Sequence, residues 1–275
     1  MNSYLNAKTG KSFAILLSIL CFTSCSSERM IYKRVGGNHL HLISGQKELF
    51  WFNGMHGIDP ANPMFQDIFN EFGHFKPDFV LVEGSPYVSS DSMQAIKRGE
   101  SSYVTYLAYR QKIPYQSTEP PDSVIFSYLE RSYTKEQLLA MYIIRQMVQW
   151  NRERIGDDFE NELVRFANSI NTVLKYSEQE TSKSQIAAIL EPYTGMQMLA
   201  NSNWRNFDAK TYIYFTKNTI SEIYEATLTF RNKYLISLIQ EEINNCNKLF
   251  IMMGFDHVKE IRNELDEIFG NNDNL

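Results

Sequence analysis

Pro77-Asp78-Phe79-Val80-Leu81-Val82-Glu83-Gly84 is the stretch on which the fold turns. Pro77-Asp78 breaks the preceding segment, and four apolar residues follow without polar alternation. A run this short and continuous predicts a strand buried on both faces, the kind found in parallel sheets covered by helices. Upstream, Met64, Phe65, Ile68, Phe69 and Phe72 recur at helical spacing. Before them 39–43 alternates and 48–52 is rich in aromatics, with the turn signal Ser44-Gly45-Gln46 between, so the two read as a hairpin. Downstream, helical segments over 92–97 and 103–112 lead to a brief strand over 113–117. This β-α-β-α-β order predicts an α/β fold with a mostly parallel central sheet flanked by helices.

From Pro121 to residue 210 strand signals are few. Thr134 and Gln137 form a capping-box pattern ahead of Leu139, Ile143, Met147 and Trp150 on one helix side. Asp157-Asp158 opens a second helix, with Phe159, Leu163, Phe166, Ile170 and Val173 at helical spacing. We read 121–210 as a helical insertion acting as a cap over the sheet. The segment 211–216 suits strand or helix. A long helix over 219–243 and a second buried strand, Lys248–Met253, follow. Gly254-Phe255-Asp256-His257 then opens a last helix with Ile261, Leu265 and Ile268. A single domain over 39–275 is the simplest organisation.

The 275 residues carry 27 basic and 32 acidic side chains. A net charge of −5 argues against nucleic acid as a partner, because such binders usually show a basic patch. With 18 Phe, 16 Tyr and 3 Trp the chain has ample material for a core, which excludes disorder. Lys8 and Lys11 precede the apolar run 13–22, which is too short to span a bilayer and matches the apolar region of a secretory signal. It ends in Phe22-Thr23-Ser24-Cys25, which resembles a bacterial lipoprotein lipobox. That resemblance implies a signal peptide over 1–24, acylation of Cys25, a tether over 25–38 and a lipid-anchored place in the cell envelope. Losing 1–24 removes two lysines and no acid, so 25 basic side chains face 32 acidic ones and the net charge becomes −7. Cys21 goes with it, leaving Cys246 as a lone thiol, read as a small core residue. Partners among proteins are not indicated by any motif.

The polar residues just after the expected strands are informative. Asn53-Gly54-Met55-His56 follows 50–52, Glu83 follows 79–82, Glu119 follows 113–117, and Gly254 and His257 follow 248–253. Parallel strands put their carboxyl ends on one edge, and ligands bind in the crevice outside it. Two histidines and two glutamates from four strands are therefore expected to converge, with glycines beside three of them allowing close approach. Taken singly, Glu119 also suits a loop or helix-start acid, and His257 the start of a helix. Arg231 lies on the apolar stripe of the long helix, with Ile220, Ile223, Leu228, Leu235 and Leu238, so it points inward. It is either a structural ion-pair partner or a site arginine orienting a glutamate or an oxyanion.

At these residues the chain resembles the Tiki/TraB family, which is related to erythromycin-esterase-like enzymes and ChaN-like haem-binding lipoproteins. Four pieces carry the resemblance in order: Asn53-Gly54-Met55-His56, the strand ending in Glu83, Arg231-Asn232, and Lys248–Met253 running into Gly254-Phe255-Asp256-His257. Asn53 stands where the family has glycine. The resemblance covers 39–120 and 220–270 and implies metal-dependent proteolysis, metal-free ester hydrolysis, or haem or iron binding. A binding lipoprotein that kept the fold without catalysis is the third class, and Asn53 is its motive.

Two chemistries follow. His56, Glu83, Glu119 and His257 make a mixed nitrogen/oxygen set suited to zinc, manganese, cobalt or iron, whose bound water would attack an acyl carbon. Without metal, His56 activates water, Glu83 fixes its tautomer and Arg231 meets the oxyanion. Either scheme hydrolyses a peptide or a small-molecule ester. His39 and His41 share one strand face and read as the exposed side of the hairpin. His74 reads as a cation at a helix end, and Tyr87 as loop packing. No nucleophile elbow and no phosphate loop occur.

Overall fold

The computed structural model describes residues 31–35, 39–153, 158–194 and 204–270. The expected signal peptide, its lipobox and Cys25 lie outside the described residues. Strands β1 (Ile31–Val35), β2 (His39–Ser44) and β3 (Lys47–Asn53) are followed by β4 (Phe79–Val82), β5 (Tyr115–Ser117) and β6 (Lys248–Met253). They form one sheet in the order β1-β2-β3-β6-β4-β5. The first three pair antiparallel, and β3, β6, β4 and β5 pair parallel, so the sheet is mostly parallel. Residues 31–35, expected within the tether, are instead a strand, registered from Ile31 on Ile43 to Val35 on His39. β2 would otherwise expose an unpaired edge, and a neighbouring stretch rich in strand-forming residues takes that place.

Both faces are covered. Phe50, Phe52, Val80, Val82, Phe250 and Met252 pack against α1 (Met64–Phe75), α2 (Ser92–Ile96) and α3 (Glu100–Gln111). The alternate residues Leu49, Trp51, Leu81, Leu249, Ile251 and Met253 pack against α9 (Thr219–Asn245), α10 (Phe255–Glu260) and α11 (Arg262–Gly270). The last helix expected from the sequence is thus two, because Ile261 leaves helical geometry and is fully buried between them. β6 lies at the centre with Leu249 through Met252 fully buried, which is why its sequence shows no polar alternation. Asp78 accepts the N–H groups of Asn247 and Lys248 at 3.0 and 2.9 Å, fixing where that strand begins.

The helical stretch has a core of its own. It comprises α4 (Asp122–Leu129), α5 (Lys135–Glu153), α6 (Phe159–Leu174), α7 (Lys183–Thr194) and α8 (Ala209–Tyr214). The capping box at Thr134 and Gln137 forms as expected, with both reciprocal hydrogen bonds. The ambiguous 211–216 resolves largely into α8, capped by Asp208 on the N–H of Thr211. Helix α9, of 27 residues, is about 40 Å long and belongs to both cores. Ile220 and Ile223 pack with the helical cluster, whereas Leu235, Leu238, Ile239 and Ile243 pack on the sheet.

Phe250 lies among the rings of Phe50, Phe52, Phe72 and Phe75, with centroids 5.3 to 6.5 Å away. Phe250→Ala should therefore destabilise the protein by about 3–5 kcal/mol, measured by urea denaturation.

Candidate functional site

The carboxyl edge of the sheet is held by side-chain bonds between strand ends. After β3, Asn53 donates its N–H to His39 Nδ1 at 3.0 Å, and its Oδ1 accepts the N–H of Phe255 at 2.8 Å. After β4, Glu83 Oε2 accepts the N–H of Gly254 at 3.1 Å. Two N–H groups at the start of α10, otherwise without helical acceptors, are thus satisfied from two neighbouring strands. After β5, Ser117 Oγ donates to the Gly84 carbonyl at 2.8 Å and accepts the N–H of Glu119 at 2.9 Å.

Glu119 and Arg231 meet as a bidentate pair: Nε donates to Oε2 at 2.6 Å and Nη2 donates to Oε1. Of the two expectations for Arg231, the carboxylate partner is the one formed, and that partner is Glu119. Burial opposes the charge on this guanidinium, but the hydrogen bonds and charge of Glu119, with Glu83 and Tyr142 behind them, outweigh it and raise its pKa. The pair borders a cavity of about 580 Å³. Glu83, Ser117 and Glu119 line it from the strand ends, Tyr142 and Arg145 from α5, and Arg231 from α9. Burial pushes the Tyr142 phenol up to about 12, so it remains a hydrogen-bond donor.

His56 stands apart from that lining. It has a left-handed backbone, φ 56°, its side chain is 67% exposed, and its partner carboxylate is Glu100 at the start of α3. Glu100 Oε1 accepts the His56 N–H at 2.8 Å and lies 3.4 Å from Nδ1. The role expected of Glu83 toward the His56 ring is therefore corrected, since Glu83 reaches Gly254. His257, on α10, is mostly buried, and its Nδ1 is 4.0 Å from Glu260. Among the described residues no three His, Cys, Asp or Glu side chains gather to hold a metal. His56, Glu83, Glu119 and His257 thus do not form the expected ligand cluster. Glu119 is occupied by Arg231, and the two histidines leave different elements.

Other expectations change too. His39 is buried, not exposed, and stacks on Phe52 at 4.0 Å. Burial lowers its pKa against the weaker pull of Asp67. His41 is half-buried and meets Glu48 at 3.0 Å. Of the three glycines, Gly54 has the closest neighbour, since a Cβ there would lie 2.7 Å from Glu100 Oε1 and displace that carboxylate; Gly84 has φ +74°, and Gly254 has room for a methyl group. Tyr87 packs under the Arg98 guanidinium, 3.8 Å from the ring centroid. Burial pushes the half-buried Cys246 thiol up to about 11, in keeping with an unreactive core residue. Glu100, Tyr142 and Arg145 escaped sequence reasoning. The detectable trace was on α5, where Tyr142 and Arg145, three apart, interrupt an otherwise apolar run.

No family model, curated protein or solved structure matches the chain. The resemblance to the Tiki/TraB family accordingly rests on its four sequence pieces. Among the described residues no helix is long and apolar enough to cross a membrane.

Removing one partner of the Arg231–Glu119 pair strands a half-buried charge, so Arg231→Met should destabilise by about 1–3 kcal/mol. The double variant Arg231→Met/Glu119→Leu should recover most of that loss in the same denaturation assay. A second expectation concerns pH. His39 takes a proton more readily unfolded than folded, so stability falls as pH drops below its ordinary value of about 6.5. His39→Asn, which keeps an acceptor near the Nδ1 position, should flatten the thermal-stability profile between pH 7 and 5.

Proposed function

We propose that the protein is a lipid-anchored hydrolase of the cell envelope, of the Tiki/TraB type, that cleaves a peptide or ester bond at the carboxyl edge of its sheet. The observation that carries this reading is the cavity beside the strand ends, which has Glu83, Glu119 and Arg231 in its lining. Helices α4 to α8 act as its cap, contributing Tyr142 and Arg145 to the wall. The metal-free scheme fits the residues better, since the four candidate ligands are dispersed among other partners. In it His56, which follows β3 on the same sheet edge but outside the cavity lining, takes a proton from the attacking water. Arg231 is neutralised by Glu119, so the donors for the developing oxyanion are the Tyr142 hydroxyl and Arg145. The Arg231–Glu119 pair serves as the rigid floor against which substrate is held.

A non-catalytic binding lipoprotein is the second reading. It is favoured by the fixed partners of Asn53, Glu83 and Glu119, which give the edge a structural task.

A panel of aryl esters and peptides, assayed with and without chelator, separates the two. We expect turnover that resists chelation and falls about 10²-fold or more in His56→Ala, as loss of a general base does. Tyr142→Phe should lower kcat about tenfold, the effect of one lost donor hydrogen bond. Turnover that persists in both variants defeats the assignment, and ligand binding without turnover favours the second reading. Incorporation of labelled fatty acid, abolished by Cys25→Ala, checks the anchor.

A further inference from the structure

We infer that Glu100 is the positioning residue of His56, holding its ring in one orientation and one tautomer so that the two act as a carboxylate–imidazole dyad. The inference rests on the reading of His56 as the base, and it assigns a task to a residue on a different element, 44 positions away.

Glu100 is only 5% exposed, and a carboxylate so removed from water requires donors. His56 meets Oε1 twice, by its backbone N–H at 2.8 Å and by its ring nitrogen Nδ1 at 3.4 Å. Burial alone would raise the Glu100 pKa; the bonds from the His56 ring and from backbone N–H groups reverse that and lower it, keeping the carboxylate ionised. The surroundings are shaped for the contact. Gly54, two residues before His56, leaves open the space that Oε1 occupies, since a Cβ would come within 2.7 Å of it. Gly99, at φ +97°, turns the chain into α3 just before Glu100, in a conformation side chains rarely adopt. His56 itself is held at φ 56°, in the left-handed region.

The chemistry follows from which nitrogen faces Glu100. With Nδ1–H donating to the carboxylate, the neutral ring has its lone pair on Nε2. When water attacks an acyl carbon, Nε2 takes the water proton as the new C–O bond forms, and the imidazolium is stabilised by the ionised Glu100 beneath it. As the tetrahedral intermediate collapses, the C–N or C–O bond breaks and the same proton passes to the leaving amine or alkoxide. Glu100 stays ionised throughout. A buried anion behind an exposed imidazole is the polarity this transfer needs.

The test uses the full chain labelled with 15N-histidine, His56 being identified by the resonance lost in His56→Ala. Long-range 1H–15N spectra should show the neutral ring protonated at Nδ1, and Glu100→Leu should return it to the Nε2-protonated form that an unrestrained histidine favours. A wild-type ring protonated at Nε2, or a tautomer unchanged in folded Glu100→Leu, overturns the proposal; the wild-type spectrum decides even if that variant fails to fold. Glu100→Gln keeps an acceptor without the charge, and should lower kcat at least tenfold with KM unchanged. An Nδ1-protonated ring in a protein that turns over nothing would sustain the dyad while defeating the hydrolase reading, so the two failures are distinguishable.

Discussion

β6 is the last of the described strands and lies inside the sheet between β3 and β4, and everything at the carboxyl edge depends on that placement. By pairing with β3 on one side and β4 on the other, it separates two strands that are neighbours in sequence. Its exit then lies between theirs. Glu83 reaches Gly254 and Asn53 reaches Phe255 only because of this order. The cost of closing so long a loop is offset by a strand whose side chains are buried on both faces, among the rings of Phe50, Phe52, Phe72 and Phe75. The edge and the core are one construction.

Helix α9 extends this construction to the helical cluster. Its first half packs with α5 and α8 and its second half with the sheet, and Arg231 falls where the two cores meet. There it grips Glu119 at the end of β5. A long helix crossing two cores is a stiff coupling, and a bidentate ion pair at the crossing sets their spacing. The cavity between strand ends and α5 is the space this leaves.

Much of the fold was legible because it is locally encoded. Phe79–Val82 and the stretch 249–253 of β6 show unbroken apolar runs, which only a doubly covered strand tolerates. The site was legible in part: the residues after the strands do lie on one edge, and the inward arginine does find a carboxylate. Alternation in His-Leu-His-Leu predicts one wet face, and for His39 the structure overturns that. Here that face meets α1, through Phe75 beside His41 and Asp67 near His39, and His39 stacks on Phe52. Glu100 was invisible for a related reason. In sequence it is an ordinary first-turn acid, and only packing of the 54–57 loop against α3 makes it the partner of His56.

By itself the sequence determined most of the elements, the α/β class and the set of polar residues at the strand ends, because hydrophobic periodicity and turn chemistry act over a few residues at a time. The tertiary structure alone decided strand order, the pairing of Glu119 with Arg231 and of Glu100 with His56, and the dispersal of the four candidate metal ligands. Those outcomes depend on which surfaces meet across 40 to 200 residues of chain, where volume, burial and the need to satisfy each buried charge select among arrangements that local patterns leave equal.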